Sequence, residues 1–433
     1  MNMESEKNFY SDWHPNIWPP FTQIKTSEPQ IEVSHGKDSL IFTKNPERTL
    51  IDGISSWWVT LHGHGNEYIA EAIAKQAKEL EQIIFADFLH PQAKLLAQRL
   101  SQITKLDRLF FSDNGSSAVE VALKIAYQWW QNNGELRNQI IAFDGAYHGD
   151  TFGAMALGER NIFNESFEKL MFPVKRVPWP STWIGDEEVE VKESIAIKKL
   201  IALIKEPTVA VIMEPILQGA GGMNMVRPEF IRKVSQIIKD NNSLIIADEV
   251  LTGFGRCGSL FAFQKANIEP DLVAISKGLT GGFMPMGITL TKEKIFQCFI
   301  SDSPKKTFWH GHSFTANPLG CAAANASLDL LEENPSKYAD FESRHYSLIQ
   351  KFKSFSFVKK IRICGTIVAF EVEVDKNSGY LNTIGKLIKK NAIDKGLFIR
   401  PLGNIVYLLP PLSITDDQLE KSYDIILEVL SNL

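Results

Sequence analysis

The sequence predicts a doubly wound α/β protein with a mostly parallel central sheet, and a smaller α+β unit built from both chain ends. Two observations predict it. Between about Tyr68 and Asn325, short apolar runs bounded by Gly, Pro, Asn or Asp alternate with stretches of helical character. Outside that span the pattern changes, with a Pro- and Trp-rich segment before it, then a long helical stretch and further β-like runs after it. The expected division is 1–67 and 326–433 for the two parts of the smaller domain and 68–325 for the larger.

Taken in order, Leu40–Phe42 reads as a short strand of the N-terminal part. Residues Asn66 to Ile83 place Ile69, Ala72, Ile73, Leu80 and Ile83 near helical spacing. Six β-like runs follow: Leu109–Ser112, Ile140–Phe143, Val209–Met213, Leu244–Ala247, Leu272–Ile275 and Met286–Leu290. They are rich in Val, Ile, Leu and Phe and suit strands covered on both faces, with the intervening helices as crossovers. Ile367–Val374, Leu397–Arg400 and Ile405–Leu409 are the strand candidates of the C-terminal part.

Composition removes several function classes. With 44% hydrophobic and 22% charged residues over 433 positions, the chain has an ordinary globular balance and can bury a core without staples. Forty-six basic against 51 acidic residues, a net charge of −5, leave no basic footprint for nucleic acid. The start, MNMESEKNFY, lacks the basic and apolar parts of a secretory signal, and no apolar run approaches the roughly 18 residues of a membrane helix. Cys257, Cys298, Cys321 and Cys364 form no CxxC pair and read as buried thiols in a reducing compartment. The expectation is a cytoplasmic enzyme.

In doubly wound sheets, ligands bind outside the carboxyl ends of the strands. Three such ends carry chemistry. In LFFSDNGSSAVEVALKIAYQWW, a strand leads through Gly115, Ser116 and Ser117 into a helix. That is an anion cradle of hydroxyls and free N–H groups, or simply a Ser-capped helix. That turn is neither a GxxxxGK[ST] nor a GxGxxG loop, so it does not support a nucleoside triphosphate or a dinucleotide. In SLIIADEVLTGFGR, an apolar strand ends in Asp248, a carboxylate that needs a positive partner, such as a protonated pyridine nitrogen, unless it caps the next helix. In DLVAISKGLTGGFMPMG, Lys277 follows a buried strand among glycines. Desolvated there, it is a nucleophilic amine, the alternative being a structural ion pair. Phosphate cradle, pyridinium acid and Schiff-base lysine together are the parts that pyridoxal 5′-phosphate (PLP) needs.

On IMEPILQGAGGM, LIIADEVLTGFGR, SKGLTGG and HGHSFTANPLGCAAA, the chain resembles the class III (ω-amino acid) aminotransferases of PLP fold type I, over nearly its whole length from IWPPFTQ to YLLPP. DGISSWWVTLHG, FDGAYHGDTFGAM and FIRPLGNIVYLLPP resemble the branch that converts 8-amino-7-oxononanoate to 7,8-diaminononanoate in biotin biosynthesis. S-adenosylmethionine is that branch's expected amino donor, and lysine serves some relatives. The resemblance implies that Lys277 joins the cofactor, Asp248 pairs with its ring nitrogen, Gly115 and Ser116 hold its phosphate, and Tyr147 lies against its ring and faces substrate. It implies a homodimer with shared sites, in which Ser313 reaches the neighbour's phosphate. Trp57, Gly311 and Arg400 are carried over as substrate contacts, with Tyr407, Asp150 and Arg256 as weaker ones. Two positions depart from the pattern: Phe21 stands where the family has Tyr, and HGHSF replaces a Gly-Pro-Thr segment while keeping a hydroxyl. The alternative within the class is a diamine, ornithine or 4-aminobutyrate enzyme. Outside it stands a PLP-fold binding subunit, which the presence of both Lys277 and Asp248 argues against.

Other eye-catching residues read as structural. His62/His64 and His310/His312 sit in HGH turns without a zinc-like spacing. Trp57-Trp58 and Trp129-Trp130 suit core or pocket packing, Cys321 a buried helix position, and Asp186-Glu187-Glu188 with Glu190 a solvated loop.

Overall fold

A computed structural model describes residues 13–373 and 383–433. The first strands are β1 (Glu32–Lys37), β2 (Leu40–Asn45) and β3 (Glu47–Asp52), followed by β4 (Arg108–Ser112), β5 (Gln139–Phe143), β6 (Lys175–Val177) and β7 (Thr208–Met213). A ribbon of β8 (Leu217–Gln218) and β9 (Asn224–Met225) precedes β10 (Leu244–Asp248), β11 (Leu272–Ile275) and β12 (Gly287–Thr291). The last strands are β13 (Val358–Cys364), β14 (Ile367–Val372), β15 (Leu397–Phe398) and β16 (Ile405–Leu408). All six predicted central runs are strands. The last residue of the predicted Ile367–Val374 run lies outside the described residues.

The central sheet has the order β4-β12-β11-β10-β7-β5-β6. Its pairings are parallel except those of β12, which runs antiparallel to both β11 and β4. Periodicity could not show that reversal, because an apolar run looks the same in either direction. Nor could it find β6, where Lys175-Arg176 leaves only one apolar residue at the end. Every residue of β7, β10, β11 and β12 is buried, as expected of strands with a layer on each face. Alternate residues of β10 serve opposite layers. Ile245 and Ala247 join one apolar cluster, and Leu244 and Ile246 join the other with the helix Gly115–Asn132.

The chain ends build two small sheets, one from both ends and one from the C-terminal part alone. β15 pairs in parallel with β3 in the order β1-β2-β3-β15, and β13, β14 and β16 form an antiparallel sheet. Gly53 joins the two, its N–H donating to the Phe398 carbonyl at 2.9 Å and its carbonyl accepting from Leu409 N–H at 2.8 Å. Asp186-Glu187-Glu188 form the expected loop, while Glu190 falls in the first turn of the helix Val189–Leu203; Asp186 pairs with Lys192 and Glu190 with Arg227. Cys298 is part-exposed, a correction to the expectation of four buried thiols. Among the described residues, no helix is long and apolar enough to cross a membrane.

The two-layer core predicts the cost of a cavity at its centre. Ile246→Ala should lower stability by about 2–5 kcal/mol, read as a lower midpoint in urea with little change in slope.

Candidate active site

The carboxyl ends of β4, β10 and β11 open on one cavity of about 700 Å³. Gly115, Ser116, Tyr147, Asp150, Asp248 and Lys277 all line it. Six positions singled out by their residues or by resemblance are thus drawn from four loops into one wall.

Lys277 stands two residues beyond β11, with a backbone φ of 44°. Its Nζ lies 4.9 Å from the Trp58 ring centroid and has no hydrogen bond among the described residues. Burial holds this amine below the ordinary lysine range; Arg256 pushes the same way, and Asp248 and Glu214 partly offset it. An amine so held keeps more of its neutral, nucleophilic form.

Asp248 is the last residue of β10 and is 3% exposed. One carboxylate oxygen accepts from Val250 N–H at 3.0 Å, and the other meets His148 Nδ1 at 2.6 Å. With the acid accepting, His148 Nδ1 is the protonated nitrogen. His148 and Glu214 are the site residues that sequence reasoning missed. His148 adjoins Tyr147, but nothing local indicates that the loop after β5 crosses β7 to reach the end of β10. Glu214 accepts from Tyr147 N–H at 3.2 Å and Gly219 N–H at 2.9 Å, bracing the loop that carries the aromatic. Burial pushes its carboxyl up to about 7, with Asp248 adding and His148 opposing. Burial and then the neighbouring Asp150 raise the Tyr147 phenol.

The helix Gly115–Asn132 starts at the cavity. Its cap is Asn114, whose side chain accepts from Ser117 N–H at 2.9 Å, so neither serine caps it. Helix geometry leaves the Gly115 and Ser116 N–H groups without intrahelical acceptors. Ser116 Oγ lies 2.7 Å from Thr151 Oγ1. A Cβ on Gly115 would meet Val250 at 2.7 Å, and one on Gly149, at φ 128°, would strike Ser116. The cradle tolerates only glycine at both positions.

The remaining expected positions lie off this wall. Trp57 is 43% exposed, with Arg400 over its ring at 5.3 Å and Phe21 edge-on at 5.6 Å. Trp58, for which the sequence left core and pocket packing open, lines the cavity and donates from Nε1 to the Tyr407 hydroxyl at 2.9 Å. Arg256 is 1% exposed, donates to the Pro410 carbonyl at 2.8 Å, and sits behind the wall. Gly311 and Ser313 are exposed. His310 and His312 meet each other at 3.1 Å, with Lys124 and Asp113 flanking them.

A buried amine, an acid at the neighbouring strand end and a helix N-terminus with a hydroxyl around one cavity fit a phosphorylated pyridine aldehyde. The class III aminotransferase model matches residues 23–430, and the chain belongs to that PLP-dependent family. It is 50% identical over 423 residues to the adenosylmethionine-8-amino-7-oxononanoate aminotransferase of Synechococcus elongatus, spanning 97% of this chain and 99% of that protein. The enzyme of that name from Geobacter sulfurreducens is 37% identical, with 95% of each chain covered. The crystal structure of the Methanocaldococcus jannaschii enzyme superposes with a TM-score of 0.89 at 30% identity over 99% of both chains. A PLP-bound amine transaminase from an uncultivated Pseudomonas superposes equally well, at 26% identity, over 97% of this chain and 99% of its own.

Glu214 makes the site pH-sensitive. Its proton leaves the unfolded chain near the ordinary 4.5 but stays on the folded one to about 7. Between those values the folded state binds more protons, so stability falls as pH rises, by up to about 1.4 kcal/mol per pH unit. Burial also pushes the Glu249 carboxyl up to about 7, so denaturant titrations from about pH 5 to pH 7 should show falling stability in the parent and a flatter, not level, dependence in Glu214→Gln.

Proposed function

We propose that this chain transfers an amino group to 8-amino-7-oxononanoate to form 7,8-diaminononanoate, with S-adenosylmethionine as donor, in the cytoplasm. The observation that carries the substrate reading is Arg400. Among the described residues it makes no ion pair, and its guanidinium carbon lies over the Trp57 ring, 5.3 Å from the centroid, with Phe21 edge-on to the same ring. An unpaired guanidinium over an aromatic face, next to apolar rings, suits a carboxylate on an aliphatic chain. The names borne by the relatives agree with that chemistry.

When bound, PLP supplies an aldehyde that takes the amino group and a ring that accepts an electron pair. The residues that would hold it are Gly115 and Ser116 at the phosphate, Asp248 at the ring nitrogen, Tyr147 against the ring and Lys277 at the aldehyde. Lys277 Nζ, once released, is the group that moves a proton at the substrate's Cα, a role its lowered basicity suits. His148 fixes the orientation of Asp248 and supports its charge. Trp58 forms an apolar wall beside Lys277 and limits water there.

The active unit in this reading is a homodimer. Ser313 and Gly311 do not line the cavity of their own chain described above, and exposed Ile84, Phe88, Leu89, Trp309 and Phe314 supply an apolar surface in the same two segments. Gln82 donates to the Ser313 carbonyl at 2.9 Å and ties the two segments together. Ser313 then serves the phosphate of the second copy, and Gly311 lies beside its substrate.

A donor-by-acceptor activity matrix on purified holoenzyme tests the function. Amination of 8-amino-7-oxononanoate from S-adenosylmethionine is expected; turnover confined to ornithine, 4-aminobutyrate or diamines would overturn it. Lys277→Ala should abolish turnover and the visible absorbance of lysine-bound cofactor while the protein still folds. Undiminished multiple turnover in that variant would remove Lys277 from its role. Arg400→Ala loses a charge-assisted hydrogen bond of roughly 1.5–3 kcal/mol, so the acceptor KM should rise about ten- to a hundredfold. Unchanged acceptor binding with a lower melting temperature would make Arg400 structural.

A further inference from the structure

The Ser55-Ser56-Trp57-Trp58 turn is held in a conformation that L-residues avoid. Ser55, Ser56 and Trp58 have φ values of 54°, 58° and 67°, and Ser56 combines its φ with a ψ of −100°. Such backbone persists only where the surroundings over-determine it. The group that does so is the Asp52 carboxylate at the end of β3, which is fully buried. Its Oδ1 accepts from Ile54 N–H at 3.1 Å, and its Oδ2 accepts from Ser56 N–H at 2.6 Å. His64 Nε2 meets the same Oδ2 at 2.8 Å, so this carboxylate has three donors around it. A Cβ on Gly36 would lie 2.6 Å from His64 Cβ, so the neighbouring strand leaves the space that the imidazole uses. On the far side of the turn, Ser55 Oγ donates to the Leu409 carbonyl at 2.7 Å.

We propose that Asp52, backed by His64, is the positioning residue that sets both tryptophans: Trp58 beside the Lys277 amine and Trp57 beneath Arg400. The inference rests on the reading of Trp57 and Arg400 as substrate groups. Its geometry adds a reason why one carboxylate can serve both ends of the pocket. Asp52 is opposite Phe398 in the β3–β15 pairing, and Arg400 follows two residues later. The strand end that turns the tryptophans therefore also registers the arginine that covers one of them. His64, part of an HGH turn, is used here as a donor to a carboxylate. Its neighbour His62 meets Ser327 Oγ at 2.9 Å, and burial pushes it down to about 3.

Asparagine is the sharpest probe of this arrangement. It keeps the size of Asp52 but turns one acceptor into an NH₂ group facing either the Ile54 N–H or the Ser56 and His64 donors. Holoenzyme labelled with 5-fluorotryptophan, its resonances assigned through Trp57→Phe and Trp58→Phe, reads the turn by fluorine NMR without reference to activity. In Asp52→Asn the Trp57 and Trp58 resonances should shift or broaden while those of the other tryptophans stay. The acceptor KM should rise about tenfold with kcat changed much less, since ground-state positioning is lost and not the proton-transfer group. His64→Leu should reproduce the effect in weaker form and His64→Gln, which restores an N–H donor, should reverse most of it. That pair carries the test if Asp52→Asn does not fold. Unmoved Trp57 and Trp58 resonances would overturn the proposal, as would moved resonances with KM unchanged for both substrates. Failure of the substrate reading is distinct: the parent enzyme would not aminate 8-amino-7-oxononanoate, whatever the fluorine spectra show.

Discussion

The site depends on an amine and a carboxylate placed at the ends of adjacent buried strands. β10 and β11 are parallel neighbours, so Asp248 and the residues just beyond Ile275 emerge on the same side of the sheet. Neither charge is stable in an apolar layer alone. The fold meets this cost without pairing the two directly. Asp248 is satisfied by Val250 N–H and His148, whereas Lys277 is left over the Trp58 face with its basicity lowered. A direct ion pair would have fixed the lysine as a cation and ended its use as a nucleophile. The six strands that run one way, with helices on both faces, make this possible because they deliver successive loops to a single edge.

Most of that edge was legible in the sequence, for a physical reason. A charged residue or a glycine cluster at the end of a fully apolar run is costly there, so it stands out from its surroundings. Lys277, Asp248 and the Asn114–Ser117 turn were readable on those grounds. Tyr147 and Asp150 came through resemblance, because one aromatic and one acid in a polar loop carry no such contrast. His148 and Glu214 were not legible at all. Their value lies in contacts across the sheet, to Asp248 from the β5 loop and to Tyr147 N–H from the end of β7. Residue spacing does not encode such contacts. The direction of β12 escaped likewise, since its burial is the same whichever way it runs.

The smaller sheets were legible in kind but not in connection. Apolar runs at 397–400 and 405–409 indicated strands, yet the parallel pairing of β15 with β3 joins residues over three hundred positions apart in the chain. That pairing sets where Arg400 stands relative to Trp57. Gly53 makes it possible: a Cβ there would come within 3.0 Å of both the Phe398 carbonyl and Leu408, so a larger residue would push β15 and β16 away from β3. The Arg–Trp contact at 5.3 Å is thus a consequence of backbone register, with the side chains completing it.

A division of labour follows. The central sheet supplies the groups that suit the cofactor, and it does so from residues whose burial leaves them little freedom. In the proposed reading the two chain ends supply the groups for the substrate, on a turn whose three positive-φ residues cost of order 1–3 kcal/mol each. Strain of that size is comparable to a large share of a domain's net stability of roughly 5–15 kcal/mol. It is tolerable only because buried Asp52 and the Ser55–Leu409 hydrogen bond cross-link the turn to strands from both termini. A relaxed turn would place one tryptophan or the other, not both, since adjacent residues in ordinary extended backbone point their side chains to opposite sides. Trp57 under the arginine and Trp58 beside the lysine are therefore the return on that strain, and in the proposed reading they join a substrate-facing surface to a cofactor-facing one through two consecutive residues.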